Sequence, residues 1–272
     1  MRRAHGSRPF SALPRALVAA LFLLGALCAA PVSAQDLSVE ASGLFFENPR
    51  FLVDENAYFP LALAAGDTLY VVYQEVVPQG LEQGEIYISI ASSGRGREWD
   101  YRRRVVGPIT YERESPPVIF NAEVTEDGNI YLALVASPSE TRILRSTDEG
   151  RSFQVTARLE TEVSSVSPRL FVSSEGGLLL FVNQNVGATQ SVLYSYSSDG
   201  RNWSSFNELV EDPEIGFNFL PDHAVRAGRD YVVFQSVNPN RAPTYQLYLK
   251  ESTDGGRSWG PSRLISDFPP EE

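Results

Sequence analysis

A turn that begins with serine and ends in an aromatic residue recurs four times along the chain. The copies start 54, 51 and 55 residues apart, and each follows a stretch in which apolar and polar residues alternate. A fixed period of about 50 residues indicates supersecondary units that stack or repeat around an axis. The four copies are Ser92–Trp99, Ser146–Phe153, Ser197–Trp203 and Ser252–Trp259.

The residues around each turn predict the same four strands in every unit. Alternating stretches such as Ile86–Ile90 precede the turns, and a glycine turn followed by another apolar run lies upstream of each. A further short strand opens each unit at a proline. The opening prolines are Pro60, Pro117, Pro168 and Pro221. Because one four-stranded antiparallel sheet cannot bury its faces alone, we predict an all-β chain whose sheets pack radially as the blades of a β-propeller.

The turns resemble the Asp-box, or BNR, repeat Ser-x-Asp-x-Gly-x-x-Trp of sialidase-like β-propellers. The copies at Ser146 and Ser252 match in full, the copy at Ser197 is one residue short, and the first has Gly94 in place of the aspartate. The resemblance implies that the boxes join third and fourth strands, away from the face that binds ligands. Serine and aspartate oxygens can bond backbone N–H groups within the turn, and the aromatic can fill space between sheets. The residues expected in these structural roles are Ser92, Trp99, Ser146, Asp148, Gly150, Phe153, Ser197, Asp199, Gly200, Trp203, Ser252, Asp254, Gly256 and Trp259.

The repeat divides the chain into a leader, a short N-terminal segment and four blades. We predict the blades at about 58–110, 111–163, 164–213 and 214–268, preceded by a segment, 35–57, that is able to donate a ring-closing strand. Either these blades belong to a larger propeller, usually six-bladed in the sialidase type, or they form a four-bladed ring. We favour the larger propeller, because Phe268–Pro270 resembles the start of another blade.

Residues 1–34 have the features of a secretory signal peptide. Four arginines precede the apolar run Ala16–Ala30, and Val32–Ala34 supplies a small-residue cleavage site. We therefore expect a bacterial protein exported to the periplasm or the extracellular space. Cys28 is the single cysteine, and the bulky Leu27 before it argues against a lipid anchor there.

The net charge of −11 limits the partners that the chain can have. Nucleic acids and anionic membranes call for basic surface, so we expect neither, and no stretch after the leader is long enough to span a membrane. After the leader there is no cysteine and one histidine, which leaves most zinc sites without ligands. Acidic loops could hold calcium, although no motif indicates it. We therefore expect no cofactor.

The arginine motif of sialidases is not found at the matching place. In that family the first blade carries Tyr-Arg-Ile-Pro, whose arginine binds the substrate carboxylate; here Tyr58 occupies the arginine position within Ala57–Pro60. A phenol cannot replace a bidentate guanidinium. Catalytic residues stay unassigned, with Arg169, Asp222 and His223 as candidates at the starts of inner strands. The loop face is the face of the propeller that carries the loops between blades and those between second and third strands. Its candidate binding residues are Tyr58, Arg113, Arg169, Asp222 and His223.

These observations favour an exported, non-catalytic β-propeller that binds a glycan or a protein through its loop face. The alternative is a glycoside hydrolase of the sialidase-like group, an exo-sialidase or related glycosidase. That activity requires two carboxyl groups about 5–10 Å apart. A third hypothesis is a structural module that adds blades to an assembly in trans.

Overall fold

The computed structural model describes residues 57–80, 83–94, 99, 101–112, 119–161, 165–186, 189–211, 216–237 and 245–266. The predicted signal peptide, the segment 35–56, Arg113 and Pro117 lie outside the described residues. The described part forms four antiparallel sheets of four strands each, which we call blades 1 to 4. In every blade the strands lie side by side in chain order.

The strand bounds follow the repeat. Blade 1 contains β1 (Ala57–Ala65), β2 (Thr68–Pro78), β3 (Gln83–Gly94) and β4 (Tyr101–Glu112). Blade 2 contains β5 (Phe120–Val124), β6 (Ile130–Ser137), β7 (Glu140–Ser146) and β8 (Gln154–Glu160). Blade 3 contains β9 (Ser165–Val172), β10 (Leu178–Val186), β11 (Thr189–Ser197) and β12 (Asn207–Glu208). Blade 4 contains β13 (Gly216–Arg226), β14 (Arg229–Val237), β15 (Tyr245–Ser252) and β16 (Arg263–Leu264).

Apolar cores lie between successive blades, and strand β6 shows how one strand supplies two of them. Ile130, Leu132 and Leu134 pack in the core between blades 1 and 2. Tyr131 and Ala133 pack in the core between blades 2 and 3. Because successive side chains of a strand point to opposite faces, a nearly continuous apolar strand buries both of its faces. A third core lies between blades 3 and 4.

Side-chain oxygens hold the turn between the third and fourth strands of blade 2. The Ser146 hydroxyl donates to Asp148 Oδ1 at 2.7 Å and accepts from the Gly150 N–H at 2.9 Å. The Asp148 carboxylate also accepts from the backbone N–H and the hydroxyl of Ser152, at 2.8 and 2.6 Å. The Ser152 and Ser146 hydrogen bonds lower the pKa of Asp148 to about 2, so the carboxylate stays ionised.

Blades 3 and 4 repeat this arrangement, and we call the three segments Ser146–Phe153, Ser197–Trp203 and Ser252–Trp259 the Ser/Asp turns. Ser197 and Ser252 accept from the N–H of a glycine in their own turn, each at 2.9 Å. In blade 1, Ser92 lies within β3 and Trp99 is half-buried, while residues 95–98 lie outside the described part.

The aromatic residues that end the Ser/Asp turns pack at successive boundaries. Phe153 packs on the core between blades 1 and 2, Trp203 on that between blades 2 and 3, and Trp259 on that between blades 3 and 4. In blade 4, glycine is required at position 256, where φ is 84° and Leu179 of blade 3 already occupies the space of a Cβ. The turns therefore join each blade to the one before it.

Candidate functional site

The first strands of the four blades surround a common cavity. Strand β5 contacts β1 and β9, and β13 contacts β9. Near the starts of these strands they enclose a volume of about 400 Å³. Because all four blades contribute, the cavity lies on the axis about which the blades repeat, and we call it the central cavity. Its lining consists of Phe59, Pro60, Leu61, Phe120, Asn121, Ser167, Pro168, Arg169 and Leu220.

Three lining residues adopt a backbone conformation that is rare outside glycine. The φ angle is 52° at Phe59, 54° at Ser167 and 50° at Leu220. Each precedes a proline and lies at a register shift of its strand, although a residue before proline normally stays extended. Such a conformation costs about 1–3 kcal/mol and is found mostly at binding and catalytic sites. Three of the five described non-glycine residues with a positive φ lie at this end of the inner strands, which makes it a candidate site.

Polar groups are few in the central cavity, and Arg169 is its only cation among the described lining residues. Arg169 is half-buried, and its guanidinium makes no hydrogen bond or ion pair within the described part of the chain. Asn121 Oδ1 accepts from the Leu170 N–H at 2.8 Å, across the boundary between blades 2 and 3. That bond orients the side chain and leaves the amide NH₂ group as a donor. Arg169 and Asn121 thus supply donors for an acceptor-rich ligand.

Apolar side chains form the remainder of the cavity and its rim. Phe59 and Leu220 are 41% and 46% exposed, whereas Phe120 is buried. The ring of Tyr58, a predicted binding residue, lies beside the ring of Phe59, with 6.3 Å between the centroids. Exposed ring faces next to hydrogen-bond donors suit the apolar and polar sides of a sugar.

The structure places His223 away from the central cavity, contrary to the expectation that it lies at the loop face. Its side chain is 4% exposed, and Nε2 lies 2.9 Å from Asp230 Oδ1. Its ring lies 5.2 Å from that of Phe171, so it joins blades 3 and 4. Burial lowers the pKa of His223 more than the Asp230 hydrogen bond raises it, and the imidazole is therefore neutral near pH 7.

The side chains of Asp222 and His223 point to opposite faces of the sheet, because successive side chains of a strand alternate in direction. Asp222 is exposed, and its Oδ1 accepts from the His223 backbone N–H at 3.0 Å. The pair therefore does not form an acid–base couple. Of the three catalytic candidates, Arg169 alone lines the central cavity. Arg113, a candidate binding residue only, lies outside the described residues.

Sequence reasoning missed Glu123 on strand β5. Burial raises the pKa of this carboxyl to about 7, because no charged group compensates its loss of water. Glu123 follows Asn121 by two positions and so belongs to the same face of β5. Sequence reasoning also missed Asn121, Phe59 and Leu220. The recurring X-Pro dipeptides of the inner strands were the available signal for Phe59 and Leu220.

The described residues contain neither a cluster of metal ligands nor a membrane-spanning helix. They form no group of three or more His, Cys, Asp or Glu side chains that could hold a metal ion. Nor do they include a helix whose length and apolar character would let it cross a membrane.

Comparison with known proteins supports the architecture. No protein-family model matches the chain, and no curated protein matches it. A Dyadobacter fermentans protein of unknown function matches with a TM-score of 0.54 and 14% identity, over 79% of this chain and 70% of that chain. Penicillium chrysogenum alpha-L-arabinanase complexed with arabinobiose matches with a TM-score of 0.53 and 18% identity, over 77% and 67%.

A third similar structure is a polysaccharide lyase of family PL25, an ulvan lyase bound to -[GlcA(1-4)Rha3S]-. Its TM-score is 0.52 at 12% identity, over 77% of this chain and 56% of that chain. The chain is a β-propeller. The predicted fold class is thereby confirmed, whereas identities this low establish the fold alone. This chain spans about two thirds or less of the length of the arabinanase and the lyase.

Proposed function

We propose that this β-propeller binds an acidic glycan in its central cavity without hydrolysing it. The observation that carries the proposal is the half-buried guanidinium of Arg169, which lacks a partner among the described residues and lines an axial cavity with Asn121 and aromatic rings. A guanidinium in partly dry surroundings binds a carboxylate or sulfate bidentately and strongly. The flanking rings provide apolar surface for the sugar body.

We further propose that the chain belongs to the Asp-box, sialidase-like superfamily and is exported. The Ser/Asp turns support membership of the Asp-box, sialidase-like superfamily, and the basic, apolar and small-residue segments of the leader support export to the periplasm or the extracellular space. Two of the similar structures, an arabinanase and a polysaccharide lyase, are glycan-active proteins, which favours a glycan over a protein ligand. The proposed binding uses hydrogen bonds and ring contacts, with no cofactor.

Titration calorimetry with a glucuronic-acid-containing disaccharide tests the proposal. We expect Arg169→Gln to weaken binding about tenfold or more, because a charged hydrogen bond in a partly buried site contributes about 1.5–3 kcal/mol. Arg263→Gln removes the same charge from an exposed position on β16 and should leave the affinity unchanged. Equal affinities of the parent protein and Arg169→Gln would contradict the proposal.

A glycoside hydrolase is the second candidate, and Glu123 is the observation that favours it. A glutamic acid with a pKa of about 7 is suited to act as a general acid near neutral pH. In that case the protein releases reducing ends from a glycan, and Glu123→Gln abolishes the release. Sustained turnover that depends on Glu123 would replace the binding proposal with this one.

A further inference from the structure

A second cavity lies between blades 2 and 3, at the other end of the inner strands. Its volume is about 690 Å³, and we call it the inter-blade cavity. The loop between β5 and β6, the loop between β9 and β10, and the Ser/Asp turn of blade 3 surround it. Strand β9 runs from Arg169 at the central cavity to Val172 at the inter-blade cavity, so the two are distinct.

Two donors in this lining have no acceptor among the described residues. The Nε atom of Arg145 is buried and makes no hydrogen bond to any of them. Tyr131 is 4% exposed, and its hydroxyl makes no hydrogen bond within the described part of the chain. Arg145 also lies over the Tyr131 ring, with Cζ 5.6 Å from the centroid. A buried donor without an acceptor is costly, and a bound acceptor would remove that cost.

Two of the three carboxylates in the lining, Asp127 and Asp199, are already engaged by their own loops, and the third, Glu126, is exposed. Asp127 accepts from the Thr125 hydroxyl at 2.5 Å and from the Asn129 side-chain amide. Asp199 accepts from the Asn202 side-chain amide and two backbone N–H groups, each at 2.8 Å. Free donors therefore remain in the cavity while these acceptors are satisfied, which favours a ligand that brings acceptors.

The corresponding place between blades 3 and 4 is closed by an arginine. The Arg257 guanidinium donates to Glu175 and to the Tyr196 hydroxyl, each at 2.5 Å, and stacks over the Tyr196 ring at 4.4 Å. Arg257 comes from the Ser/Asp turn of blade 4, and both of its partners come from blade 3.

Between blades 2 and 3 the position that corresponds to Tyr196 holds a second arginine, Arg145. Arg201 follows the turn glycine as Arg257 does, but Arg145 stands directly before the turn serine, where blade 3 has Tyr196. Two guanidinium groups repel one another. Accordingly Arg201 is exposed, and its side chain makes no ion pair within the described part of the chain. Arg145 therefore both keeps Arg201 from closing the inter-blade cavity and supplies the donor without a partner.

We propose that the inter-blade cavity binds the carboxylate or sulfate group of a sugar-sized ligand through Arg145 and Tyr131. A bare ion would fill little of the space, since a water molecule has a share of only about 30 Å³ in the liquid. The ligand therefore carries its anionic group on a larger polar body. This site stands on observations independent of Arg169 and the proposed function.

The test follows the Arg145 Nε–H resonance by NMR while glucuronate, glucose 6-sulfate or neutral glucose is added. The parent and all variants carry Arg169→Gln, so that the central cavity does not contribute. We expect a saturable shift with at least one of the two acids and none with glucose; comparison of the acids distinguishes a carboxylate from a sulfate ligand. The resonance is identified by its loss in Arg145→Gln.

Affinities from calorimetry complete the test. Arg145→Gln should weaken binding of the acid about tenfold or more, and Tyr131→Phe, which keeps the ring packed on Gly200, about fivefold. Arg226→Gln, an equal change of charge on the exposed β13–β14 hairpin, should have no effect. Thermal unfolding without ligand verifies that each variant is folded. Unchanged affinity in Arg145→Gln, equal binding of glucose, or no saturable shift overturns the proposal.

Discussion

Ser146 illustrates how one buried hydroxyl organises a turn of this propeller. Its oxygen accepts a hydrogen bond from the Gly150 N–H, and its hydroxyl donates one to Asp148. A buried donor and a charged acceptor are therefore satisfied together. Ser92 occupies the matching position in blade 1, where Gly94 replaces the aspartate. The two serines therefore provide a matched pair in which only one of the two turns contains the aspartate.

We expect Ser146→Ala to lower the free energy of unfolding by about 1–3 kcal/mol, because it leaves the buried Gly150 N–H without an acceptor. Ser92→Ala should cost less, since the aspartate partner is absent there. Urea unfolding followed by circular dichroism measures both. Equal losses in the two variants would show that the turn bonds do not account for the stabilisation.

Glu123 predicts a dependence of stability on pH. Its folded pKa of about 7 lies above the ordinary value of 4.5, so below pH 4.5 both the folded and unfolded states hold the proton. As pH rises, Glu123 ionises first in the unfolded chain. The contribution of Glu123 to the free energy of unfolding therefore falls and is lost as pH rises through 7. We expect Glu123→Gln to unfold like the parent at pH 4 and to be more stable at pH 8, by on the order of 2–3 kcal/mol.

Unfolding curves between pH 4 and pH 8 measure this difference, and subtracting the parent curve removes the opposite slope contributed by His223. Glu160→Gln is the control, because Glu160 is exposed on β8. A difference between Glu123→Gln and the parent that does not change with pH would contradict the assignment.

At the scale of elements, neighbouring blades are joined by the aromatic side chains that end the Ser/Asp turns. Trp259 lies 5.9 Å from the Phe181 ring and 6.3 Å from the Tyr194 ring, measured between centroids. Its indole N–H is buried and makes no hydrogen bond to any residue that the structure describes. Trp259 therefore contributes volume and ring contacts, and Phe153 fills the corresponding place in blade 2.

We predict that Trp259→Phe destabilises the protein less than Trp259→Ala. The alanine variant leaves a cavity and should lose about 3–5 kcal/mol, whereas phenylalanine keeps most of the ring contacts and forfeits no hydrogen bond. Thermal unfolding of the three proteins provides the comparison. If the phenylalanine variant were as unstable as the alanine variant, the indole N–H of Trp259 would have to make a stabilising hydrogen bond.

At the scale of the molecule, the repeat predicted the fold class because spacing and alternation are local properties of the sequence. Strands and turns follow from them, as does the burial of both faces of β6. The candidate site was less predictable, since it depends on which way each inner-strand residue faces. His223 was expected at the loop face but lies between blades. Asn121 lines the central cavity, and Glu123 shares its face of β5, through a register that the proline spacing does not reveal.

A crystal structure of the protein with a glucuronic-acid-containing disaccharide would show whether an acidic glycan binds in the central cavity. We expect the disaccharide in that cavity, with its carboxylate hydrogen-bonded to Arg169. We also expect Phe153, Trp203 and Trp259 in places related by rotation about the axis through the cavity. A disaccharide bound away from the axis, with Arg169 making no contact to it, would show that the proposed binding site is wrong.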